Sequence, residues 1–191
     1  GAYANASENN GLALGTGAQA IAINAMALGT NSYANTLDAF AAGLKARATG
    51  ENSMALGMSS NASNTNAFAA GSFANALGNN SLAYGTQAYA NSNNSMATGT
   101  RANATGVDAI AAGVCAVANQ DGALAFGGYA QATGVNSTAM GASTIASGTS
   151  STAMGTSSRA TGTDALALGE NSQATQSCAF AAGSSARAIA N

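Results

Sequence analysis

Gly43-Leu44-Lys45-Ala46-Arg47-Ala48-Thr49-Gly50-Glu51-Asn52-Ser53-Met54-Ala55-Leu56-Gly57 is one turn of a pattern that runs from end to end of this chain. Its outer glycines belong to a series, from Gly1, Gly15 and Gly29 to Gly169 and Gly183, that keeps a strict 14-residue spacing without an insertion. Two residues before each glycine from Gly15 onward stands an alanine, as Ala55 stands before Gly57. Five residues after each glycine stands another, as Ala48 follows Gly43. A period this short and this regular predicts a solenoid, in which each repeat is one coil stacked on the last.

Within the coil the apolar period is two, which is strand period and not helix period. Ser53-Met54-Ala55-Leu56 reads as one strand and Lys45-Ala46-Arg47-Ala48 as the other. Between them lie turn residues. Asn or Asp dominates five places before the glycine (Asn10, Asn24, Asp38, Asn52, Asn66), where a short polar side chain tolerates left-handed backbone. Strand, turn, strand, turn in 14 residues leaves no room for a helix. The expected fold is therefore all-β, a flattened two-sheet roll, with residues 1–191 as a single domain. Both ends fall inside the repeat, which suggests a piece of a longer protein.

Composition narrows the function. Only 6% of residues are charged and the net charge is −2, which gives no electrostatic footprint for nucleic acid or an anionic membrane. No stretch reaches the roughly 20 apolar residues of a spanning helix. Histidine is absent, so acid–base chemistry would fall to seven carboxylates. Three of them, Asp38, Asp108 and Asp164, occupy the turn position. The periodic pattern offers no pocket in which to perturb them. Neither enzymatic activity, a cofactor nor a metal site is expected. Gly15-Thr16-Gly17 is followed by no helix and reads as a turn rather than a phosphate loop. Cys115 and Cys178 stand four and a half repeats apart, or about 20 Å at ~4.8 Å per coil. That excludes a bridge within the chain and leaves free thiols or a link between chains.

The two strands predict different surfaces. In the second, alanine is expected inside, with Lys, Arg, Gln, Asn and Tyr outside. Tyr33, Lys45, Arg47, Tyr89, Arg101, Tyr129 and Arg159 then form ladders on one face. Tyr and Arg serve interfaces well, each offering apolar area with a polar handle, so these residues are the candidate ligand face. In the first strand, volume is traded between neighbouring large positions: Phe40 with Ala42 and Phe68 with Ala70, but Thr138 with Met140. Such compensation is what a packed interior demands, so the large residues are expected in the coil core. The unvarying alanines then point outward. Ala27, Ala41, Ala55, Ala69, Ala83, Ala97 and Ala111 become the candidate face for close lateral packing of identical chains.

Asn52-Ser53-Met54-Ala55-Leu56-Gly57, Asn80-Ser81-Leu82-Ala83-Tyr84-Gly85 and Asn94-Ser95-Met96-Ala97-Thr98-Gly99 resemble the head-domain motif of trimeric autotransporter adhesins, the YadA-like heads. The resemblance covers essentially the whole chain. It implies a left-handed parallel β-roll, a side-by-side homotrimer, and display on the bacterial surface through an anchor outside this sequence. It also implies adhesion to matrix or cell-surface ligands, collagen-like proteins among them, with no membrane contact by this segment. A structural β-solenoid, such as a phage fibre shaft or an extracellular filament, is the alternative. An ice-binding array is not expected, because Thr follows the periodic glycine only at Thr16, Thr30, Thr86, Thr100 and Thr156.

Overall fold

The computed structural model of the chain describes residues 1–189. It is an all-β parallel solenoid of about thirteen coils, with no helix among the described residues. The chain divides into two compact units, Gly1–Asn94 and Ser95–Asn191. In the first, three-residue strands such as Met54–Leu56 and Phe68–Ala70 stack in one parallel sheet, and two-residue strands such as Tyr33–Ala34 and Arg47–Ala48 stack in another. Pairing is in register at one full repeat, with Phe68 opposite Leu82, Ala69 opposite Ala83, and Tyr33 opposite Arg47. The second unit repeats the scheme, with Leu124 opposite Thr138 and Ile145 opposite Arg159.

Each coil is built from two similar halves. The residue with φ between 54° and 60° recurs every seventh position, at Asn24, Asn31, Asp38, Lys45, Asn52 and Ser59 and onward. At nearly all of these corners a backbone bond closes a four-residue turn: the Ala46 N–H donates to the Gly43 carbonyl at 3.3 Å and the Ser53 N–H to the Gly50 carbonyl at 3.1 Å. A positive φ at the third residue is what a type II turn requires. The corner N–H groups also join coil to coil. Lys45 donates to the Thr30 carbonyl at 2.9 Å and Asn52 to the Leu37 carbonyl at 3.0 Å. Stacking on a preceding coil thus satisfies the corner donors, as buried peptide groups demand.

The two corners differ in side chain. At the Asn corner the amides form a ladder: Asn10 Nδ2 donates to Asn24 Oδ1 at 3.0 Å, and Asn24 Nδ2 to Asp38 Oδ1 at 2.8 Å. Asn66, Asn80 and Asn94 continue it at 3.0 and 3.1 Å. Asn also accepts left-handed backbone more readily than most residues. Asn24→Ala is therefore expected to cost about 2 kcal/mol, combining two amide bonds with the backbone preference. Urea unfolding measures it, and an alanine variant as stable as the parent would refute the role of the ladder.

The core lies between the two sheets and is thin. Ala18, Ala20, Ala25 and Ala27 are all fully buried, and the pattern recurs coil after coil. Every half-coil contributes a small residue, any residue, then alanine: Ser32-Tyr33-Ala34, Ala39-Phe40-Ala41, Ala46-Arg47-Ala48, Ser53-Met54-Ala55. The small residue and the alanine point in, and the middle residue points out. Thr144 is the largest fully buried side chain, and the others are serines and alanines. Several buried hydroxyls bond the turns, as when Ser60 Oγ donates to the Gly57 carbonyl at 2.9 Å, whereas those of Ser151, Ser158 and Ser172 find no partner among the described residues.

This reverses one expectation. Ala27, Ala41, Ala55, Ala69, Ala83, Ala97 and Ala111 are not on an outer face. Each is fully buried by its own chain. The large residues flanking them stand outside. The physical reason is the turn: corners closed by a four-residue bond hold the sheets too close for anything beyond a methyl or hydroxymethyl group on each side. The compensation between Phe40 and Ala42 is therefore between neighbours on the outer surface.

Candidate functional surfaces

With identical small-x-Ala halves inside, the outer residues alone distinguish the two faces of the coil. In the first unit the three-residue strands display Leu12 and Leu14, Met26 and Leu28, Phe40, Met54 and Leu56, Phe68, and Leu82 with Tyr84. Several of these are strongly exposed, Leu14 at 56% and Tyr84 at 61%. In the second unit the same positions carry Met96, Ile110, Leu124 with Phe126, Met140, Met154 and Leu166 with Leu168. Scattered exposed apolar residues are ordinary, but a contiguous row of them marks an interaction surface.

The opposite face is polar. It contains no carboxylate in either unit, because its outward positions hold Asn, Gln, Ser, Thr, Tyr, Arg and a few aliphatic residues. In the first unit Tyr33 and Arg47 stand on adjacent rungs, and the Arg47 guanidinium lies 5.3 Å from the centre of the Tyr33 ring. This cation–π contact, worth about 0.5–1 kcal/mol at an exposed site, holds the guanidinium over the sheet rather than free in solvent. Tyr89 shares that row, and its hydroxyl donates to Asn91 Oδ1 at 3.2 Å. In the second unit the row carries Arg159.

Lys45, Arg101 and Tyr129 are placed differently from the sequence expectation. They occupy the positive-φ corner, with φ of 57°, 57° and 60°, two residues before the strand rather than within it. All three remain exposed. Lys45 still falls beside Arg47 on the same coil, so the first unit gathers two cations and Tyr33 within two rungs. Alternation over Lys45-Ala46-Arg47-Ala48 concealed the corner, since a left-handed residue before a strand continues the in–out order. A signal was present: the small-x-Ala triplet recurs every 7 residues, half the glycine period.

Cys115 and Cys178 are free, the first half-buried and the second exposed. Each stands at a positive-φ corner. Among the described residues there is no enclosed pocket and no cluster of three or more His, Cys, Asp or Glu side chains that would hold a metal ion.

The family model for the YadA head domain repeat, each unit of which spans two copies, matches six successive segments: residues 20–46, 48–74, 76–102, 104–130, 132–158 and 160–186. Each segment therefore covers two coils, in phase with the observed stacking. No curated protein matches the chain.

Proposed function

Since the chain belongs to the family of YadA head repeats, a family of structural adhesin domains rather than enzymes, we propose that it is the head of a bacterial surface adhesin, assembled as a homotrimer, that binds matrix or cell-surface ligands. The observation that carries the reading is the contrast between the two faces of one coil. An apolar face of Leu, Met and Phe suits burial against identical chains, whereas a polar, carboxylate-free face remains for a ligand. Burying the apolar row would also support a core that is otherwise alanine and serine, at roughly 25 cal/mol per Å² of apolar surface removed from water.

The ligand-face candidates are Tyr33, Arg47 and Tyr89 in the first unit, and Arg101, Tyr129 and Arg159 in the second, whereas Lys45 stands at the corner between this face and the apolar one. Aromatic and arginine side chains dominate the energetics of protein interfaces, and a guanidinium already positioned on a tyrosine ring loses little freedom on binding. Display outside the bacterial cell, on the cell surface, accords with a chain poor in charge and built of continuous backbone ladders.

Light scattering on the purified chain is expected to give three times the 18.2 kDa chain mass. Binding to immobilised matrix proteins and to cells is then measured for the variant carrying Tyr33→Ser, Arg47→Ser, Tyr89→Ser and Arg101→Ser. Loss of several interface anchors is expected to weaken binding about tenfold or more, with the trimer intact. Undiminished binding would retire this ligand face.

A further inference from the structure

The charges of the first unit are segregated around the coil, whereas in the second unit Glu170 follows the periodic Gly169 at the cationic corner. All five cations lie at the corner that follows the periodic glycine or on the short strand beside it: Lys45, Arg47, Arg101, Arg159 and Arg187. The carboxylates of the first unit, Glu8, Asp38 and Glu51, lie at or beside the opposite corner. Exposed leucines follow the same division, with Leu44 at the cationic corner and Leu37 at the acidic one. These corners flank the apolar strand Phe40–Ala42, Leu37 and Asp38 on one side and Leu44 and Lys45 on the other. Within the chain the Lys45 ammonium and the Glu51 carboxylate have no partner among the described residues, and Asp38 is engaged only by Asn24.

Three copies that turn the same apolar face toward one axis meet through unlike edges, because a ring interface is heterologous. The cationic corner of one copy then faces the acidic corner of the next. If the axis runs along the stack, rotation leaves every residue at its own height. A full coil rises ~4.8 Å, so residues seven apart differ by about 2.4 Å. Lys45 therefore arrives at a level between Asp38 and Glu51 of the neighbour, and Leu44 at a level between Leu37 and Glu51. The second unit shows the same spacing in apolar form, with exposed Val107 and Val114 seven residues apart.

Building on the trimer reading, we propose that the partner of this charged edge is a second copy of the chain, and that Lys45 of one copy lies between Asp38 and Glu51 of the next, with Leu44 packed on Leu37. The contact sets register. Sliding one copy by a rung leaves Lys45 beside only one of the two carboxylates, and sliding by two rungs removes both. A repeat with interchangeable coils needs such a device, since its apolar row alone is compatible with several registers. Complementary charge contributes alignment and partner choice more than affinity.

Lys45 is the sole lysine of the chain, which makes the test clean. The native protein, mixed half and half with isotopically labelled protein and reassembled, is treated with a zero-length carbodiimide that joins an amine only to a carboxylate in contact. Light scattering is recorded on the same sample. The expected result is a trimer that yields covalent dimers and trimers on a denaturing gel, with mixed-isotope peptides joining Lys45 to Asp38 or Glu51. Lys45→Arg keeps the charge and the trimer but removes those bands. A trimer without Lys45 crosslinks, or with Lys45 joined to other carboxylates, overturns the edge pairing and leaves the homotrimer standing. A monomer by light scattering overturns both.

Discussion

Ala69→Leu is expected to destroy the coil that contains it, whereas Phe68→Leu, one residue away, is expected to leave the fold intact. Ala69 is fully buried in strand Phe68–Ala70, between sheets that admit no buried side chain larger than that of Thr144. A leucine there has no cavity to fill and cannot move the sheets apart, because the corners at both ends are closed by backbone bonds. Overpacking an ordinary core costs about 1–3 kcal/mol, and a core without adaptable neighbours belongs at or beyond the upper end. We expect a loss of about 3 kcal/mol or more, read as a lower midpoint in denaturant unfolding followed by circular dichroism. Phe68 points outward and is half-buried, so leucine at that site changes the outer face and not the coil. Equal losses for the two variants would contradict the assignment of the faces.

Gly71→Ala has the second large effect, and for a different reason. The backbone at Gly71 has φ of +132°, which side chains of L-residues rarely adopt. A Cβ there would also stand 2.5 Å from the carbonyl oxygen and 2.6 Å from the carbonyl carbon of Gly85 in the next coil. Both atoms are backbone, held in the stack on either side, so nothing flexible can yield. Strain and clash together place the change among exceptional substitutions, at about 4 kcal/mol or more, with Tm lowered by roughly 10 °C. The same contact recurs where Gly57 faces Gly71, its absent Cβ 2.7 Å from that carbonyl oxygen. The strict glycine period thus follows from stacking: each glycine makes room for the next. Hydrogen exchange would show protection lost first in the coils on either side of the substitution. A variant with unchanged protection would mean that the coils are not stacked as described.

Much of this architecture was legible because a repeat multiplies every local signal. Residues that share a position in the coil face the same environment, so Asn at one corner and glycine at the other identify both as turns. The candidate ligand residues on the short strands, Tyr33, Arg47, Tyr89 and Arg159, were legible from alternation alone. Lys45, Arg101 and Tyr129 are exposed, as alternation predicts, but stand at corners rather than in the strand, since a left-handed corner residue preserves the alternation while changing the direction of the side chain.

What the sequence determined by itself is the period, the strand character, the stacking in register and the division of the surface into residue types. Those depend on local chemistry repeated at fixed spacing. What only the tertiary structure decided is which side of the long strand is inside. Met54-Ala55-Leu56 alternates equally well with its large residues turned in or out. The choice rests on the distance between the sheets, which is set by two closed turns and by corners with positive φ every seven residues. At that distance alanine fills the interior, and the leucines, methionines and phenylalanines are left to face outward.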